Sequence, residues 1–250
     1  MSELLFARAD DVIRRAENGM FAYGDFLNEN ESAQVKQYVG TASGGIVYRF
    51  WGGFEGSERC RFFAYPEYYD FDELKDCIKA VEIKGSGFVS LNHSSYLGAL
   101  TALGIDRAKM GDIVLQENSA ILFTDEKISE FLLTQPSPLT RVGKDCVKLY
   151  EFEPEKNFGI ERKYKEIFDT LASPRLDAAV SALACVAREK AKNIILSGSV
   201  QLNYLLEQRP DIQILNGDII TIRGTGKFLI VSVSEKTKKE RYRLSAKKYI

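Results

Sequence analysis

Arg188 and Lys192 stand four residues apart in a stretch of helical periodicity, so both cations project from one helix face. Arg175 opens the preceding helical stretch, and antiparallel packing of the two helices would bring it close to the second. Three cations on rigid elements at that spacing suit successive phosphates of a nucleic acid. The same spacing also fits three solvated surface charges, and spacing alone leaves both readings open. Further on, Arg241 and Arg243 alternate with Tyr242 and Leu244, so a strand there carries both guanidinium groups on one side. Lys236, Lys238 and Lys239 come just before it, where lysines also protect an edge strand from aggregation. Lys227 would extend the same footprint.

Nucleophilic and acid–base chemistry finds less support. His93 is the single histidine, so a Ser-His-Asp site would depend on it. Within Asn92-His93-Ser94-Ser95 a helix cap is the better reading. Gly52-Gly53-Phe54-Glu55-Gly56 could cradle a phosphate on backbone amides. No Lys-Ser/Thr follows Gly56, however, and Glu55 and Glu58 oppose an anion. A tight turn between strands at Trp51 and Arg61 is expected instead, with Arg59 and Arg61 keeping an RNA role open. Arg175-Leu176-Asp177 matches a tripeptide that carries the catalytic aspartate of pseudouridine synthases. No large catalytic sheet follows it here, so Asp177 is read as structural, pairing or capping. Cys60, Cys77, Cys146 and Cys185 lack a CxxC pair, which favours reduced thiols over a disulfide frame or a metal centre. No metal and no cofactor is expected.

The elements that position these residues divide by charge. Residues 171–250 hold 14 Lys and Arg against 7 Asp and Glu, a net of +7. Residues 1–170 hold 20 against 28, a net of −8, so the overall −1 conceals two modules of opposite sign. A basic module on an acidic body calls for a densely anionic partner, most simply nucleic acid. The 45% hydrophobic and 28% charged content is that of a globular chain. No apolar run approaches the roughly 18 residues of a membrane span. Met1 to Asp11 lacks the features of a secretory signal. A cytoplasmic location follows as the expectation.

Periodicity predicts a helix through Leu5, Ala9, Val12 and Ala16 and a second over Ser32–Val39. Strands are expected at Ile46–Trp51, Arg61–Tyr65 and Ala80–Ile83, then a helix from His93 to Leu103. A strand pair at Asp112–Leu115 and Ala120–Phe123 and a helix over Glu126–Leu133 follow. Phe152–Leu171 reads as a charged, partly helical connector. Ser173-Pro174 is a helix-start signal, and Gly198 ends the second helix of that pair. Short strands follow at Val200–Asn203, Ile212–Leu215, Asp218–Arg223, Phe228–Val233 and Arg241–Leu244. The expected fold class is α+β. A mixed α/β N-terminal body of two small subdomains, 1–84 and 85–151, is joined by a connector at 152–171. A C-terminal domain of two helices and a small curled sheet occupies 172–250.

Arg175-Leu176-Asp177, the stretch from Arg188 to Ala191, the run Ile195 to Asn203 and Gly217-Asp218-Ile219 together resemble the RNA-binding domain of small-subunit ribosomal protein S-four. In that domain two helices and the turn into the first strand form a basic surface for structured RNA. The resemblance implies contacts from Arg175, Arg188, Lys192, Ser197 and Gln201, and Lys190 beside them is a further RNA-binding candidate. Many relatives carry Ser where this chain has Ala187.

The run from Phe50 to Arg59, Tyr65 to Tyr69, Leu97 to Gly104, Gly111-Asp112-Ile113 and Gly224 to Phe228 resemble the bacterial YlmH family. That resemblance implies an RNA-binding role for 85–151. It also implies association with the large ribosomal subunit and peptidyl-tRNA during rescue of stalled nascent chains, with a link to cell division. The leading expectation is a non-enzymatic RNA-binding protein whose partners are ribosomal RNA or tRNA. An RNA-modifying enzyme that uses the basic domain for delivery, and an interaction module of the division machinery, stay open.

Overall fold

The computed structural model describes residues 2–41, 44–155, 157–160, 162–236 and 240–250. The chain divides into two compact units, Met1–Ile160 and Glu161–Ile250. Among the described residues no helix is long and apolar enough to cross a membrane.

The first unit runs α1 (Ser2–Glu17), β1 (Ala22–Leu27), α2 (Glu29–Val39), β2 (Ile46–Trp51), β3 (Cys60–Pro66), α3 (Phe71–Leu74) and β4 (Ile78–Lys84). It continues through α4 (His93–Ala102), β5 (Met110–Leu115), β6 (Ser119–Asp125), α5 (Glu126–Leu133), β7 (Arg141–Val142), β8 (Asp145–Cys146) and β9 (Lys148–Phe152). Helix starts follow side-chain caps. Asn28, Asn92 and Asp125 each accept a bond from the backbone N–H three residues on, and Glu31 completes a capping box with Asn28. Among the described residues three antiparallel sheets result, ordered β1-β3-β2, β5-β6-β4-β9 and the small pair β7-β8.

Strand β3 is apolar at nearly every position because both of its faces are covered. Phe62 and Ala64 pack with Ala9, Val12 and Ala16 of α1, whereas Phe63 and Tyr65 join an aromatic core. That core also takes Ile78, Ala80, Ile121 and Phe123 from the four-stranded sheet. The expected subdomain boundary at 84/85 therefore does not fit, since it would cut β4 from its partners β6 and β9.

The second unit contains β10 (Tyr164–Leu171), α6 (Leu176–Leu183), α7 (Arg188–Leu196), β11 (Val200–Leu202), β12 (Leu205–Leu206), β13 (Ile219–Ile222), β14 (Gly226–Lys236) and β15 (Tyr242–Tyr249). One antiparallel sheet, ordered β10-β15-β14-β13-β11-β12, holds every strand. The expected connector is corrected in its second half: Tyr164–Leu171 is a full strand paired residue for residue with β15. Its alternation is obscured because Lys165 and Asp169 share the side of Leu171, which is buried, and Ile167, which packs on the core. Helices α6 and α7 cover the sheet face carrying Ile220, Ile222, Phe228, Ile230, Leu244 and Ala246.

Two further expectations differ locally. Helix α6 starts at Leu176, not at Pro174, with Arg175 as an N-cap residue that makes no side-chain cap. Its first amides are satisfied by backbone instead, Leu176 N–H donating to Ile212 O (2.9 Å) and Asp177 N–H to Pro210 O (2.9 Å). The segment expected as a strand at Ile212–Leu215 is occupied by that task and makes only a single bridge, Gln213 with Arg175.

Candidate nucleic-acid interface

The start of α6 places Asp177 in the first turn, fully buried, beneath two arginines. Arg175 donates from Nε (3.3 Å) and Nη2 (3.2 Å) to its two oxygens. Arg188, the first residue of α7, donates from Nε (3.2 Å) and Nη2 (3.0 Å) to the same pair. Nη2 of Arg188 also reaches Ser173 Oγ at 3.4 Å. Burial works against ionisation of Asp177, but the bonds from Arg188 and then Arg175 outweigh it and hold the carboxyl below the ordinary aspartate value. One buried negative charge thus fixes two arginines whose side chains stay 40% and 44% exposed. The cluster keeps a net positive charge and leaves N–H donors of both arginines for a ligand.

Lys192 sits one turn beyond Arg188 and lies 3.7 Å from Glu189, an exposed pair that screens it only weakly. Lys190 is exposed but projects about 200° around the helix from Arg188. It does not join the arginine pair. Ser197 ends α7; its hydroxyl donates to Ile194 O (2.8 Å) and meets Ser199 Oγ at 2.9 Å, at the turn into β11. Ala187 caps α7 without a side-chain bond, the local consequence of Ala in place of Ser.

The remaining predicted residues lie elsewhere on this unit. Gln201 pairs with Thr221 across the ladder, one residue on from buried Val200, and so faces away from α6 and α7. Lys227 stands opposite Thr221 on the same outer face, its ammonium 4.9 Å from the ring centres of both Tyr204 and Tyr249. Arg241 donates to Thr170 O at 2.8 Å, and Arg243 is exposed beside Thr170 on β15. Lys238 and Lys239 fall outside the described residues. The basic residues are therefore split between a helical face and the outer sheet face. In the sequence, Tyr164 and the alternating Lys247 and Tyr249 are the signal that could point to the second face.

In the first unit, the glycine-rich run is the expected turn joining β2 to β3. Gly53 has φ +106°, and a methyl there would collide with the Phe123 ring. The same turn delivers Arg59 to Asp112, so the two separated motifs meet. Asp112 is buried and accepts the backbone N–H groups of Glu58 (2.7 Å) and Arg59 (3.2 Å). The Arg59 guanidinium donates to the carbonyls of Met110 (2.9 Å), Phe26 (3.2 Å) and Arg107 (3.0 Å). Burial raises Asp112, lowers Arg59, and pulls Arg107 down to about 10, where neighbouring Arg59 adds to the effect.

Arg61 is 2% exposed and bound to Asp125 (3.2 Å) and Cys77 O (3.3 Å), beneath Tyr23 and Phe26. The RNA role left open for Arg59 and Arg61 is corrected, because Arg59 donates to enclosed carbonyls and the whole Arg61 side chain is buried. Asn92 caps α4, as expected for the His93 segment, accepting the Ser95 N–H at 2.9 Å.

Residues 66–156 match a family model described as "Putative RNA-binding domain in YlmH". The chain is 31% identical over 223 residues to "Ribosome-associated protein quality control protein P2" of Bacillus subtilis (strain 168), covering 88% of this chain and 84% of that protein. The chain belongs to the YlmH family. A solved structure, "Cell division protein ylmH from Streptococcus pneumoniae", aligns with TM-score 0.49 and 23% identity over 60% of this chain and 90% of that one. The YlmH model begins at Pro66 and ends beyond β9, so it takes in the whole four-stranded sheet, which the expected 85–151 subdomain does not. An RNA-binding domain and a ribosome-associated relative are thus what the comparisons give this chain.

Proposed function

We propose that this YlmH-family protein is a non-enzymatic RNA-binding factor that docks through α6 and α7 on structured RNA of the large ribosomal subunit, or on a tRNA held there. Its service is to protein quality control at the ribosome, as the name of the Bacillus relative suggests. The observation that carries the reading is the pair Arg175 and Arg188, half exposed on one buried carboxylate. Such a clamp holds two planar forks in a fixed relation at low entropic cost, which suits adjacent phosphates of a folded RNA. Lys192 adds charge beside them, and Ser197 offers a hydroxyl at the helix end.

The test is affinity for ribosomal RNA fragments and tRNA across a salt series. If four to six phosphates are engaged, log affinity should fall against log salt with a slope of about −3 to −5. Arg175→Ala with Arg188→Ala should flatten that slope by about 2. The wild-type protein should co-sediment with the large subunit in a sucrose gradient and the double variant should not. Salt-insensitive binding, or unchanged affinity in the double variant, would overturn the reading. Appearance of a new modified nucleoside after incubation with RNA would overturn the non-enzymatic part.

A further inference from the structure

The outer face of the second unit's sheet, turned away from α6 and α7, interleaves rings and cations. Tyr164 and Tyr249 stand directly opposite each other on β10 and β15, ring centres 5.1 Å apart and tilted 66°. The Lys247 ammonium lies 5.5 Å from the Tyr164 ring, and that of Lys227 lies 4.9 Å from Tyr249 and from Tyr204. Arg162 approaches Tyr249 at 5.9 Å. Phe168, on the same side of β10 two pleats further on, is 73% exposed. Rows on one strand face repeat about every 7 Å, so Tyr164 and Phe168 are roughly 13 Å apart.

A folded domain gains nothing by exposing a phenylalanine beside a tyrosine–lysine lattice. A phosphate-only site needs no rings, and an apolar protein partner would leave the desolvated lysines uncompensated. A ligand with flat apolar groups on a polyanionic backbone satisfies both features at once.

We infer that this face binds an unpaired RNA segment. Bases stack on Phe168 and on the Tyr164–Tyr249 pair, and phosphates draw Lys227 and Lys247 off the rings. Glu166, across from Lys247, is the opposing charge in that row and keeps binding weak enough to be reversible. The site is additional to the α6–α7 surface and does not depend on it. A protein with both could hold a folded RNA element on its helices and a single strand on its sheet.

The full chain is titrated with a labelled oligouridine, which has no structure of its own, and separately with a stable RNA hairpin. Phe168→Ser with Tyr249→Leu should weaken oligouridine binding about tenfold and leave hairpin binding unchanged, whereas Tyr249→Phe should restore the former. Arg175→Ala with Arg188→Ala should show the reverse pattern, so loss of either site is read separately. If Tyr249→Leu lowers the melting temperature, Phe168→Ser alone carries the test, because that side chain is already exposed. Undiminished oligouridine affinity in Phe168→Ser would overturn the inference. So would loss only with Lys227→Ala and Lys247→Ala, or competition by a polyglutamate peptide as effective as by unlabelled RNA.

Discussion

Each unit buries an aspartate among arginines, and the two clusters do opposite things with it. Around Asp177 the carboxylate binds side chains, Arg175 and Arg188, and both guanidinium groups remain at the surface. Around Asp112 the carboxylate binds backbone amides, and Arg59 and Arg107 spend their donors on carbonyls. The charges shift accordingly: Asp177 is held below its ordinary value and Asp112 is raised above it. An arginine that caps carbonyls is part of the scaffold, while one held by a side-chain carboxylate is aimed and still available. Counting basic residues would not separate the two.

The comparison breaks first at Arg59. Arg59→Met removes the bonds donated to Met110 O, Phe26 O and Arg107 O, of which Met110 O keeps a bond from Arg107, and should destabilise the first unit by about 3–5 kcal/mol in urea unfolding, with RNA affinity of the refolded protein unchanged. Asp177→Asn should cost the second unit about 2–3 kcal/mol. Although this change adds positive charge, RNA affinity should fall by roughly tenfold, because the two forks lose their common anchor. Tighter binding in that variant would show that charge, not aim, sets affinity.

The pH response should separate the units in sign. A carboxyl with a depressed pKa contributes stability above its unfolded value, near 3.8 for aspartate, and that stability is lost as pH falls through the folded value. Asp177 should therefore give the second unit a plateau from neutral to mildly acidic pH, then a decline. Asp112 is raised, so its ionised form is a burden above its folded value and acidification relieves it. The gap in urea midpoint between wild type and Asp112→Asn should be widest at neutral pH and narrow as pH falls. Ala187→Ser should stabilise α7 by about 0.5–1 kcal/mol by capping it. Lys190→Ala, on the side of α7 away from Arg188, should change hairpin affinity least, by less than about twofold.

Much of this was legible in the chain. The helices over Glu126–Leu133 and from His93, the strands around Trp51 and Arg61, and the two-helix start of the basic domain all carried local signals that the fold obeys. What stayed hidden depended on partners distant in sequence. Tyr164–Leu171 looks like a charged tether until β15, some seventy residues later, pairs with it. Ile212–Leu215 has strand-like residues, yet Ile212 O accepts from Leu176 at the start of α6 and Ile214 N–H donates to Pro174 O just before it. Arg59 and Arg61 looked as available as Arg175, and only the enclosed carbonyls and the buried acid pair distinguish them. The grouping of Arg175 with Arg188 was visible from spacing, whereas the assignment of Gln201 and Lys227 to the other side of the sheet required the register.

The pairing of β10 with β15 also has a mechanical consequence. Tyr164 faces Tyr249, and the Ile250 N–H donates to Lys163 O, so the two ends of the second unit leave from the same corner. Tension applied between those ends would open the ladder one rung at a time, as a zip opens, instead of shearing all rungs together. Pulled in this way, the unit should yield at low force and shed β10 first, with α6, α7 and the inner strands still folded behind it.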